Sequence, residues 1–154
     1  MEGYQKYKKS YFMPPESCYD WVKKDAIVTF AHKYKTQMKI ILFDDKSWRT
    51  LRPLTLTSPV SELRVGILTI REKWEKRLSD KVAYLTKDYL QEKYPLSVED
   101  ANLLINASVC PNPRLLGEIG GLQPGEMLLQ GDCVIALRVD KREVAAFEPA
   151  VLPG

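Results

Sequence analysis

The stretch Met38-Lys39-Ile40-Ile41-Leu42-Phe43-Asp44-Asp45 decides how the rest of this sequence is read. Four consecutive apolar residues leave no solvent-facing side, so residues 39–43 are predicted to form a strand buried on both faces, as in a parallel sheet covered by helices. Working outward from it, apolar strands alternate with amphipathic segments, which is the pattern of an α/β domain. Residues 44–58 read as a polar loop. Leu63, Ile67, Ile70 and Trp74 recur at helical spacing and predict an amphipathic helix with Gly66 near its start. Val82-Ala83-Tyr84-Leu85 is a second strand, with Thr86 as the cap of a helix through Asp88, Leu90 and Glu92 that ends before Pro95. Residues 96–102 read as a loop, and Leu103-Leu104-Ile105 as a third buried strand. A short helix after Pro111-Asn112-Pro113 runs until Gly120-Gly121 stops it. Residues 126–129 and 133–139 flank Gln130-Gly131-Asp132 as a hairpin. The expected fold is α/β, Rossmann-like and three-layered, with a mostly parallel sheet and a C-terminal β-hairpin.

Composition agrees with a globular chain. The 154 residues are 45% apolar and 28% charged, and one domain is expected at that length. The three cysteines, Cys18, Cys110 and Cys133, are widely spaced and odd in number, against both a disulfide framework and a tetrahedral zinc site. No apolar run is long enough to span a bilayer, and no signal-peptide core is present. A cytoplasmic location and no membrane association are expected.

Charge divides the chain in two. Residues 1–37 hold seven Lys and four acids together with eight of the fifteen aromatics. Residues 38–154 are balanced at sixteen basic and sixteen acidic residues, so polyanion binding is not expected of the main body. Residues 1–37 read as a basic, aromatic-rich extension that packs loosely or not at all. Because Met38 stands directly before the first strand, the natural protein is expected to begin there. The basic aromatic arm also fits a single-strand nucleic-acid binder, which is the least favoured of three function classes.

In open α/β sheets ligands bind outside the carboxyl ends of the strands. Asp44, Asp45, Arg49, Arg52, Thr55 and Thr57 leave the first strand together. Guanidinium forks suit phosphate oxygens, hydroxyls add donors, and a carboxylate pair offers hard ligands to Mg²⁺. The same residues also fit a plain turn with an Asx cap and surface ion pairs. His32, the only histidine, lies in the N-terminal extension, so no His-based triad or zinc site is available to the main body. Cys110 reads as a packed small hydrophobe, Trp48 as an anchor of the loop, and Glu72 and Glu75 as the wet face of a helix.

The order of residues is more informative than their kinds. Phe43-Asp44-Asp45 is followed by Arg49-x-Leu51-x-Pro53-Leu54-Thr55-x-Thr57-x-Pro59-Val60 and by Leu63-Arg64-Val65-Gly66-Ile67-Leu68-Thr69-Ile70-Arg71-Glu72-Lys73-Trp74. This order resembles a divergent bacterial sugar nucleotidyltransferase family, similar to the N-terminal uridylyltransferase part of the bifunctional enzymes that make UDP-N-acetylglucosamine. The resemblance continues through Tyr84-Leu85-Thr86 and Leu103-Leu104-Ile105-Asn106-Ala107-Ser108 to the hairpin around Gly131-Asp132, covering roughly residues 38–139.

The resemblance implies transfer of a nucleotidyl group from a nucleoside triphosphate, UTP by preference, to a sugar-1-phosphate such as N-acetylglucosamine-1-phosphate. Pyrophosphate leaves, Mg²⁺ assists, and the product feeds cell-envelope precursor synthesis. On this reading Arg49 holds triphosphate oxygens, Arg52 and Arg64 are secondary cations, and Thr55 and Thr57 donate to phosphate or base. Asn106 and Ser108 lie at the nucleotide, and Asp44 or Asp45 orients the loop or binds metal. The wider superfamily carries a Gly-rich loop where Asp44-Asp45 stand and Gly-Asp where Ala107-Ser108 stand, so a bare-backbone phosphate cradle is not expected. The chain is expected to be the N-terminal portion of such an enzyme, exposing a sheet edge that favours self-association. The alternative is a non-catalytic remnant that acts as a nucleotide-binding or interaction module.

Overall fold

The computed structural model describes residues 5–8 and 38–147. Most of the N-terminal extension, including His32 and Cys18, lies outside the described residues. Eight strands appear in chain order: β1 (Gln5–Lys8), β2 (Lys39–Phe43), β3 (Arg64–Val65), β4 (Leu68–Thr69), β5 (Ala83–Leu85), β6 (Ala101–Asn106), β7 (Glu126–Gln130) and β8 (Cys133–Asp140). Five helices accompany them: α1 (Ser47–Thr50), α2 (Ile70–Leu78), α3 (Asp88–Gln91), α4 (Pro113–Gly120) and α5 (Lys141–Ala146).

The strand read from the opening stretch is the middle of the parallel part of the sheet. Leu42 stands opposite Tyr84 of β5 on one side and Ile105 of β6 on the other, both in parallel register. The six-stranded sheet runs β1-β7-β8-β6-β2-β5. β8 is antiparallel to β6, β7 to β8 and β1 to β7, so the sheet as a whole is mixed. The chain leaves β2 for β5 on one flank and then crosses to β6 on the other, which makes β2 the point where strand order reverses.

Alternation along β2 sorts its side chains between two cores. Ile40 and Leu42 join Ile70, Trp74 and Leu78 of α2 and Leu115, Leu116 and Ile119 of α4 on one face. Ile41 and Phe43 join Leu96, Val98 and Val144 of α5 on the other. Covered on both sides, the sheet forms the middle of a three-layer, Rossmann-like α/β arrangement. Trp74 is fully buried and its indole N–H donates to the carbonyl of Val109 at 2.8 Å, tying α2 to the loop after β6.

Several local expectations are corrected. Helical spacing from Leu63 to Trp74 does not make one helix, because α2 begins only at Ile70. Gly66 takes φ 78° and turns the chain into the β3–β4 hairpin, leaving Ile67 87% exposed. Thr69 then starts α2 with a reciprocal capping box: its side chain accepts from the Glu72 N–H while the Glu72 carboxylate accepts from the Thr69 N–H. Glu72 is therefore part of a cap, and Glu75 is bonded to Arg71 at 2.6 Å. Thr86 does not cap α3, whose N-cap is Lys87 without a side-chain bond. Residues 101 and 102 belong to β6 rather than to a loop, and α5 is an added helix opened by an Asp140–Glu143 capping box. Gln5–Lys8, expected to pack loosely, pairs with Glu126–Leu129 as a sheet edge. The hairpin is as read, with Gln130 opposite Cys133 and Gly131 at φ 57° in its two-residue turn.

Candidate functional site

Three parallel strands end on one edge of the sheet, and their continuations meet there. The Asp44 N–H donates to the Leu85 carbonyl at 3.0 Å, and the Ala107 N–H donates to the Phe43 carbonyl at 2.9 Å, extending the ladder one step past β2. Asp44 is buried at this junction. Its Oδ1 accepts from the Val60 N–H at 2.9 Å and its Oδ2 from the Thr86 hydroxyl at 2.5 Å. One carboxylate thus fixes both the far end of the 44–59 loop and the loop after β5. Burial pushes its pKa above the ordinary range, and the Thr86 and Val60 hydrogen bonds and the nearby Lys87 charge only partly offset that rise.

Asp45 is half-buried and faces the other way, toward β6. Its Oδ1 accepts from the Ser47 N–H at 2.9 Å and also from the Ser47 hydroxyl, an Asx-type turn that starts α1. Its Oδ2 accepts from the Asn106 amide at 3.0 Å. Burial raises the Asp45 pKa, but the bonds from Ser47 and Asn106 outweigh burial and hold it below its ordinary value. Two adjacent carboxyls are therefore shifted in opposite directions by their surroundings, Asp44 upward and Asp45 downward.

Asn106 is only 1% exposed. Its amide nitrogen also donates to the Val134 carbonyl at 2.9 Å, and its oxygen accepts from the Ser108 N–H at 2.9 Å and the Ser108 hydroxyl at 2.6 Å. Its polar atoms are thus bonded within the protein, and Asn106 staples Asp45 to β8. Ser108 is exposed beside it. Cys133, at the start of β8, has its thiol pKa raised by burial and then by the Asp45 charge, which disfavours the thiolate.

The 44–59 loop is braced by its own hydrogen bonds. The Trp48 indole N–H donates to the Thr55 carbonyl at 3.0 Å, and the Thr55 hydroxyl donates to the Trp48 carbonyl at 2.6 Å. Thr55 is wholly buried, and its hydroxyl proton is taken up by the Trp48 carbonyl. Trp48 anchors the loop, as its position suggested. Thr57 is exposed just beyond the Leu54–Leu56 turn. Arg64 lies on the β3–β4 hairpin and donates to the Ile67 carbonyl at 2.9 Å. Arg49 and Arg52 are exposed on this braced loop, and neither enters an ion pair among the described residues. Arg71, by contrast, is spent on Glu62 and Glu75.

Ser47 and Lys87 are not singled out in the sequence, and Thr86 reads there as a helix cap rather than as part of the site. The spacing Asp45-x-Ser47 is itself an Asx-turn signal. Thr86 and Lys87 follow the end of a parallel strand, where the carboxyl-edge rule also points. Among the described residues no group of three His, Cys, Asp or Glu is arranged to hold a metal ion, and no helix is long and apolar enough to cross a membrane.

Among the described residues Arg49 and Arg52 have no carboxylate partner, and their loop stands at the carboxyl edge where strand order reverses, the place where open α/β sheets bind ligands. The model of the sugar nucleotidyl transferase family matches residues 40–152, and the chain belongs to that family. The family's chemistry is nucleotidyl transfer, with nucleotide and sugar phosphate as its substrates. No curated protein and no solved structure matches the chain.

Proposed function

We propose that the chain serves uridylyl transfer from UTP to N-acetylglucosamine-1-phosphate, with Arg49 as the principal contact to the triphosphate. The observation that carries the reading is the contrast within one loop: Asp44, Asp45, Trp48 and Thr55 are spent on holding its shape, while Arg49 and Arg52 have no carboxylate partner among the described residues. Shape is fixed and positive charge is left over, which suits a polyanionic ligand.

In the reaction an oxygen of the sugar-1-phosphate attacks the α-phosphorus of UTP. A new phosphorus–oxygen bond forms, the bond to the β-phosphate bridging oxygen breaks, and pyrophosphate leaves with that electron pair. Such a step depends on alignment and charge stabilisation, so the protein's work is to hold donor and acceptor in line. Arg49 and Arg52 balance phosphate charge, while the bonds of Asp44 tie their loop to the one after β5 and those of Asp45 tie it to β6. Asp44 or Asp45 would hold Mg²⁺ together with phosphate oxygens and waters rather than in an all-protein cage. When bound, the ion would neutralise charge on the phosphates.

Calorimetric titration with UTP and Mg²⁺, followed by pyrophosphate release with sugar-1-phosphates, tests the proposal. Removing a charge-assisted contact of about 1.5–3 kcal/mol weakens binding roughly 10- to 100-fold, and this is the expected effect of Arg49→Ala on UTP. Equal UTP affinity in Arg49→Ala and the parent protein removes the assignment of Arg49. Stronger binding of another nucleoside triphosphate removes the choice of UTP.

A further inference from the structure

The loops after β2 and β5 bring two cations to one aromatic ring. The Arg52 guanidinium carbon lies 4.2 Å from the centroid of the Trp48 ring, and Lys87 Nζ lies 5.0 Å from the same centroid. Both side chains are exposed while the indole is 7% exposed. The ring itself is fixed through its N–H to the Thr55 carbonyl. Lys87 sits near enough to Asp44 to favour that carboxylate's ionised form, but it makes no ion pair with it. Two like charges within reach of one indole repel each other, and the negative face of the ring offsets only part of that repulsion. An anion between or beside them completes the balance.

We propose that Arg52 and Lys87, held on Trp48, form an anion subsite that takes the outer phosphates of the nucleoside triphosphate, the part that departs as pyrophosphate. Its identification with those phosphates rests on the nucleotidyl-transfer reading; its existence as an oxyanion site does not. The two cations come from consecutive parallel strands, so the subsite spans the carboxyl edge beside Asp44. Arg49, on the same loop as Arg52, is left to the inner phosphates. Lys87 thereby becomes a binding residue for the leaving group, and Trp48 is a positioning residue that acts through both cations.

The full chain is titrated with inorganic pyrophosphate, UTP and UMP, each with Mg²⁺, as the parent protein and as Lys87→Ala, Lys87→Gln, Arg52→Ala and Lys93→Ala. Lys93 is the matched control, a single cation 5.2 Å from the Tyr94 ring centroid on the surface. Pyrophosphate and UTP are expected to bind about tenfold more weakly, the effect of losing one charge-assisted contact, in all three Lys87 and Arg52 variants. UMP is expected to be little changed, and Lys93→Ala is expected to match the parent for every ligand. Pyrophosphate binding that ignores both Lys87 variants overturns the subsite, and so does a loss that Lys93→Ala reproduces. An equal loss for UMP overturns its assignment to the outer phosphates. Lys87-dependent pyrophosphate binding in a protein that does not bind UTP keeps the subsite and removes the nucleotide reading. UTP binding that needs Arg49 but not Lys87 does the reverse.

Discussion

Replacing Asp44 by Ala and by Asn separates its part in the loop from its charge. In Asp44→Ala the Val60 N–H loses its acceptor in a buried place, at about 1–3 kcal/mol. The Thr86 hydroxyl, only partly buried, turns to solvent at roughly 1 kcal/mol or less. The expected destabilisation is therefore about 2–3 kcal/mol. In Asp44→Asn the amide oxygen can keep the Val60 N–H, and the amide nitrogen can donate to the Thr86 oxygen once that hydroxyl rotates. The expected cost is roughly 0–1 kcal/mol. Charge adds a pH dependence whose sign follows from burial. The native carboxyl keeps its proton to a higher pH than the unfolded one, whose ordinary value is 3.8. Below that value both states are protonated and nothing is lost; as pH rises through the native pKa, ionising a buried group lowers stability. The Asn variant has no such loss, so it gains on the parent protein as pH rises from about 3.8 upward. Urea unfolding followed by tryptophan fluorescence at several pH values reads both effects. An Ala variant within about 0.5 kcal/mol of the parent, or an Asn variant as weak as the Ala variant, refutes the argument that Asp44 acts as a hydrogen-bonded clasp.

Four further outcomes follow from the same geometry. Asn106→Ala strips partners from the Asp45 carboxylate, the Val134 carbonyl and the Ser108 N–H, and a loss of about 2–4 kcal/mol is expected in the same unfolding assay; a change below about 1 kcal/mol counts against the staple. Thr69→Ala removes one half of the α2 capping box and is expected to cost about 1 kcal/mol, whereas Thr57→Ala, at an exposed turn end, is expected to leave stability within about 0.5 kcal/mol. Because the bonds of Asp45 hold its pKa down, their contribution is present above the unfolded value of 3.8 and is lost as pH falls through the native one. Acid unfolding of Ser47→Ala is therefore expected to show a shallower dependence across that window.

What could be read in the sequence was whatever rests on local pattern. Ile40–Phe43 and Leu103–Ile105 announce buried parallel strands by unbroken apolar runs, and Gly131 marks the hairpin turn. Reading failed where tertiary contacts outvoted spacing. Leu63 and Ile67 have helical phase with Trp74, yet a glycine at positive φ and a capping threonine break the phase between them. Thr86 has the chemistry of a cap but spends its hydroxyl on Asp44, 42 residues away. At the site, the residue kinds were legible and their division of labour was not. Nothing local says that Thr55 faces inward while Thr57 faces out, or that Asn106 turns its amide to Asp45 and Val134 rather than to a ligand.

The Asn106 amide joins stretches far apart along the chain: Asp45 lies 61 positions before it and Val134 28 positions after it. During synthesis the arginine-bearing segment emerges early, but its second tether is complete only when β8 has been made and docked. A nascent chain halted short of Val134 would therefore carry Arg49, Arg52 and Lys87 but lack the bond that ties Asn106 to β8.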